Sequence, residues 1–171
     1  MANSPAGPRA ALTRVYLPAD VAMLAHLAES GEVRPVATVH AVTAWLVGAA
    51  PGADVEDLEY TAFADAAAAS VALLAGQVPR RVVISADVPE ALVIDRAEGT
   101  EADFDGAVAL KQVAAIHVDD ADAAAQIAAE LASGAPDPAA IEANVLDWYA
   151  PSELQELLAA LALGGLGRSR P

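Results

Sequence analysis

Arg14-Val15-Tyr16-Leu17-Pro18, Ala115-Ile116-His117-Val118-Asp119-Asp120 and Leu146-Asp147-Trp148-Tyr149-Ala150-Pro151 are three versions of one unit. Each is a short apolar strand that meets a Pro, Asp or Ser break and runs into an amphipathic helix. The helices close at Gly31, Gly134 and Gly164, and glycine is the residue that most readily takes the left-handed conformation at a helix end. Asp and Ser in the breaks are the types that cap helix N-termini. The recurrence predicts helices layered on a sheet. It also places polar and aromatic residues at strand ends, beside helix N-termini. The likeness of Tyr16-Leu17-Pro18-Ala19-Asp20 to Tyr149-Ala150-Pro151-Ser152-Glu153 reads as common strand-to-helix turn chemistry rather than as duplication.

Around these units the remaining elements fall into place. The first strand covers about 13–17, and Asp20 caps a helix with Val21, Leu24 and Leu27 inward and His26 toward solvent. Val36 to Thr43 reads as a strand. Ala44 to Gly52 reads either as its continuation or as a helical turn. Asp54 opens a long helix over about 55–76, with Val55, Leu58, Ala62, Phe63, Ala66, Leu73 and Leu74 as its buried stripe and Tyr60 at the margin. Arg81 to Ala86 is a β-branched strand ended by Asp87 and Pro89. Leu92-Val93-Ile94 is a candidate short strand within the ambiguous stretch 91–112. The third helix has Asp119 or Asp120 as its cap and Ala124, Ile127, Ala128 and Leu131 inward. Ser152-Glu153-Leu154-Gln155 is a capping signature for the last helix, whose stripe is Leu154, Leu157, Leu158 and Leu161.

These elements predict an α+β fold: a mixed sheet of four or five strands with helices mainly on one face, as a ferredoxin-like variant. The alternative is a doubly wound α/β sheet. Residues 12–163 form one domain, between a disordered N-terminal tail (1–11) and a flexible C-terminal tail (164–171). An exposed sheet face or edge strand favours a homodimer.

Composition narrows the function classes. Of 171 residues, 24 are acidic and 9 basic, a net charge of −15. The basic residues are sparse and dispersed, which argues against nucleic acid and against anionic membranes. The surplus of acid suits solubility or a basic partner protein. There is no Cys, so disulfides, thiolate metal sites and Cys nucleophiles are excluded. No basic and apolar leader is visible at the N-terminus, and the apolar run from Ala41 to Ala53 is too short to span a bilayer. The expected location is the cytoplasm.

No Gly-x-Ser-x-Gly elbow, Gly-x-Gly-x-x-Gly turn or phosphate loop is present. His117 and the carboxylates after it suggest a divalent metal site, but Asp at a helix start is above all a cap. Arg80 and Arg81 suit a carboxylate or phosphate clamp, with a surface edge or salt-bridge role as the plainer reading. Trp148, Tyr149 and Trp45 read as core packing before pocket lining.

The segments Arg14-Val15-Tyr16-Leu17-Pro18-Ala19, Leu58-Glu59-Tyr60, Arg80-Arg81-Val82-Val83, Asp87-Val88-Pro89, His117-Val118-Asp119-Asp120 and Trp148-Tyr149-Ala150 occur in this order. In this the chain resembles a family of small actinobacterial proteins of unknown function, over roughly residues 13 to 158. The resemblance implies a soluble bacterial single-domain protein with no assigned activity.

The reading that follows is a non-enzymatic binding or regulatory module, with no cofactor and no metal. It engages a protein partner or a small ligand in a crevice where strand ends meet helix N-termini. Tyr16, Arg81, Asp87, His117, Asp119 and Tyr149 are its candidate ligand-binding residues. The competing reading is a metal-dependent hydrolase or another small enzyme using His117, Asp119 and Asp87, which requires these three to converge. A third is a structural subunit of a larger complex.

Overall fold

A computed structural model describes residues 10–74 and 79–164. In chain order the elements are β1 (Leu12–Ala19), α1 (Val21–Ser30), β2 (Glu32–Val33), β3 (Val39–Ala41), α2 (Ala44–Ala49) and α3 (Val55–Ser70). There follow β4 (Val82–Pro89), β5 (Val93–Asp95), β6 (Glu101–Phe104), β7 (Val108–Ala109) and β8 (Val113–Val118). The chain ends through α4 (Ala121–Ala132), α5 (Pro138–Glu142), β9 (Asp147–Tyr149) and α6 (Leu154–Ala162). All but the last two residues of the expected N-terminal tail, and all but Gly164 of the C-terminal one, lie outside the described residues. So do the last two residues predicted for the long helix.

The three repeated units form as strand, turn and helix. Asp20 accepts a hydrogen bond from the Met23 amide (2.8 Å) and Asp120 one from the Ala123 amide (2.8 Å), so Asp120 rather than Asp119 caps α4. The third unit differs. Glu153 reaches back to the Ala150 amide (2.7 Å), so the expected Ser152–Gln155 box is displaced by two residues. All three closing glycines have φ between 71° and 80°. Thr43 caps α2, which settles 44–49 as helix.

The main sheet has seven strands in the order β5-β6-β3-β1-β4-β8-β9, and β2 pairs with β7 apart from it. The expected count of four or five strands is therefore too low. The additional strands, β5 and β6, are three and four residues long, too short for an alternating pattern to show. Every pairing among the described residues is antiparallel, so over them the expected mixed sheet is not found. The ferredoxin-like pattern is a β-α-β-β-α-β succession, which the seven-strand order here, with β3 and β8 flanking the central antiparallel pair β1 and β4, does not reproduce. Nor is a doubly wound sheet possible without parallel strands. The fold class is α+β.

Strand alternation gives the sheet two different faces. Val15, Leu17 and Ala19 of β1, with Val82, Ile84, Ala86 and Val88 of β4, point to the larger core. There they meet Leu24 and Leu27 of α1 and Leu154 and Leu157 of α6, each buried side chain contributing about 1.5–3 kcal/mol. The opposite face carries Arg14, Tyr16, Val83, Ser85, Asp87, Ala115 and His117, and α3 lies across part of it. Helices thus cover both faces, not mainly one, because Tyr16 and Val83 on the second face pack against Ala62, Ala66 and Ala67 of α3. The buried positions of α3 include Ala62, Ala66 and Ala67, small enough for close approach to the sheet, while Val55 at its start is exposed. A hydrogen-bonded chain pins the helix down: Asp65 accepts from Thr100 Oγ1 (2.6 Å), which is 2.8 Å from His40 Nδ1 on β3.

Candidate functional site

The helix α3 leaves uncovered the part of its sheet face nearest β9. An open cleft of about 390 Å³ remains there, lined by Arg14, Tyr16, Ser85, Ala115 and His117 from the sheet floor. Glu56, Glu59, Tyr60 and Phe63 of α3 form one wall, and Leu146 and Trp148 the other. The helix residues are spaced i, i+3, i+4 and i+7, so one helical face supplies them all. Four of the seven aromatic residues of the chain meet here. Phe63 is the hub: its ring stands edge-on to Tyr16 (centroids 6.0 Å apart) and to His117 (4.7 Å), and lies tilted against Tyr60 (6.4 Å).

Most of this floor is held in one ionic state. Burial lowers the His117 pKa to about 4, so the imidazole is neutral at pH 7. Burial, and then the charge of Glu59, raises the Tyr16 phenol to about 12, so it stays protonated. Arg14 is already paired: its Nε and a terminal nitrogen contact the two oxygens of Asp87 at 2.7 and 3.1 Å. Ser85 Oγ lies 3.3 Å from His117 Nε2. Among the described residues His117 has no hydrogen-bond partner besides Ser85, so no carboxylate orients it.

The six residues picked from the sequence separate. Tyr16 and His117 line the cleft, and Asp87 touches it through Arg14. Arg81 and Asp119 do not reach it. Arg81 is 1% and Asp119 0% exposed, and they form a bidentate ion pair with contacts of 2.9 and 2.8 Å. Arg81 also donates to the Asn144 carbonyl (2.7 Å), tying β4 to the segment before β9. Of the expected surface-edge or salt-bridge role, the salt bridge is present and the surface position is not: the chain buries Arg81 with a dedicated carboxylate. Tyr149 pairs with Ile116 and packs against the larger core, on the far face. His117, Asp87 and Asp119 do not converge, since each carboxylate is engaged by its own arginine. Among the described residues no group of three or more His, Asp or Glu side chains is placed to hold a metal ion.

Two further expectations change. The cleft crosses the middle of the sheet face rather than the strand ends. Trp148 is 55% exposed and Trp45 45%, so neither is core. Sequence reasoning misses the acidic and aromatic wall of α3, placing Phe63 in the buried stripe and Tyr60 at its margin; the i, i+3, i+4, i+7 spacing of Glu56, Glu59, Tyr60 and Phe63 is the signal that could have found it.

Residues 13–158 match a family of unknown function, DUF6912. The chain belongs to this family. The match agrees with the resemblance drawn from the sequence, in extent and in the absence of an assigned activity. Neither a curated protein nor a solved structure matches the chain. Among the described residues, no helix is long and apolar enough to cross a membrane.

Proposed function

We propose that this protein is a non-enzymatic binding module whose working surface is the cleft between α3 and β9, and that a segment of a protein partner fills it. The supporting observation is the pair of aromatic rims: Tyr60 is 70% and Trp148 55% exposed on opposite walls, above a floor that includes Tyr16 and His117. Large exposed aromatics concentrated at one concave site are costly to keep in water and are characteristic of binding surfaces. A photo-crosslinking residue placed at Tyr60 or Trp148 in living cells tests this. Both positions are expected to give the same discrete adduct, and a probe at Val36 on another surface none. Adducts equally frequent at Val36, or none at either rim, would contradict the reading.

A second reading is favoured by the Ser85–His117 contact. A neutral imidazole beside a serine hydroxyl is the start of a nucleophile–base pair. Against it stand the absence of an orienting carboxylate among the described residues and the 3.3 Å separation. Labelling of Ser85 by a fluorophosphonate, abolished in Ser85→Ala, would establish a hydrolase. No labelling leaves the binding reading in place.

A further inference from the structure

We infer that the occupant of the cleft is an arginine side chain presented by a basic protein partner. This rests on the cleft being the binding surface. The walls are aromatic, and two carboxylates, Glu56 and Glu59, stand one helical turn apart along one of them. Among the described residues neither carboxylate has an ion-pair partner. The cation nearest in kind, Arg14, is neutralised in place by both oxygens of Asp87. The cleft therefore offers π faces and unpaired negative charge together, the combination that attracts a cation.

A guanidinium suits this geometry better than a compact ammonium. It lies flat on an aromatic ring while its edge donates in a fork to a carboxylate, and its methylene stem covers apolar surface such as Leu146. The net charge of −15 steers a basic partner inward and repels polyphosphate. The partner is thus a protein with an exposed arginine-bearing segment.

The test uses the full chain carrying Trp45→Phe, which leaves Trp148 as its only tryptophan. The probe is a capped Gly-Arg-Gly-Arg-Gly peptide, compared with the same peptide in which citrulline replaces arginine. The arginine peptide is expected to shift Trp148 emission saturably and to bind at least about tenfold more tightly than the citrulline peptide. Tyr60→Ala is expected to weaken it about two- to thirtyfold, the range of a cation–π contact. Glu56→Gln with Glu59→Gln is expected to weaken it further and to reduce its salt dependence. Glu56 is exposed and Glu59 half-buried, and circular dichroism verifies that the variant is folded.

Equal binding of the two peptides, or indifference to the glutamine substitutions, overturns the arginine inference. So does silence from both peptides. If the crosslink from residue 60 still forms in that case, the cleft reading survives alone. If it does not, both fall. Self-association that disappears in the glutamine variant would make a second copy of this chain the occupant, which also overturns the inference.

Discussion

Asp119→Ala removes the acceptor around which Arg81 is buried. The wild-type carboxylate takes three hydrogen bonds from Arg81: from its amide (2.8 Å), its Nε (2.9 Å) and a terminal nitrogen (2.8 Å). After truncation the guanidinium keeps only the Asn144 carbonyl, at a site that water does not reach. Breaking a buried pair from one side costs about 3–5 kcal/mol, because the remaining charge stays desolvated. Against a typical domain stability of about 5–15 kcal/mol, that is a large fraction of the total. In urea unfolding followed by circular dichroism, the midpoint is expected to fall by about 2 M for a slope of about 2 kcal/mol per M. Arg81→Leu combined with Asp119→Leu removes both charges and is expected to recover most of the loss. A cost below about 1 kcal/mol for Asp119→Ala, or a double variant as unstable as the single one, would refute the assignment of this pair to the scaffold.

Three other outcomes follow from the geometry. Gly31 has φ +80°, and a Cβ added there would meet nothing within 4 Å, so Gly31→Ala meets only backbone strain and is expected to cost about 1–2 kcal/mol by thermal unfolding. His117 binds a proton less readily folded than unfolded, because its folded pKa of about 4 lies below the ordinary 6.5. Stability is therefore full above about pH 6.5 and falls as pH drops toward 4, by about 1–2 kcal/mol between pH 7 and pH 5. Burial lowers the His40 pKa too and acts in the same direction. His117→Gln is expected to flatten that pH profile in urea unfolding, and an unchanged slope would count against burial of a neutral imidazole. Thr100→Val breaks the link from Asp65 to His40 and is expected to cost about 1–3 kcal/mol, measured by the same unfolding assay.

Local chemistry carried far in the sequence. Asp20 and Asp120 cap as their residue type requires, and Gly31, Gly134 and Gly164 end their segments with positive φ. Leu24 and Leu27, or Leu154 and Leu157, are buried where helical spacing places them. The sheet was less legible because three strands, β5, β6 and β7, come from a polar stretch that forms a hairpin and a two-residue bridge without periodicity. Long-range pairing decided the site. Registering Trp148 opposite His117 turns Trp148 to the cleft and its neighbour Tyr149 to the far core, and a one-residue difference in register would exchange them. The partner of Arg81 was equally hidden, since Asp119 lies 38 positions away and only the β4–β8 pairing unites them.

The most direct test of the cleft as the binding surface is amide chemical-shift mapping of the labelled full chain with the arginine peptide. The account predicts shifts confined to residues 14–16, 56–63, 85, 115–117 and 146–148, with Tyr60 and Trp148 among the largest. Shifts centred instead on the groove of about 420 Å³ beside α1, around Met23, His26 and Val36, would place binding elsewhere and contradict it.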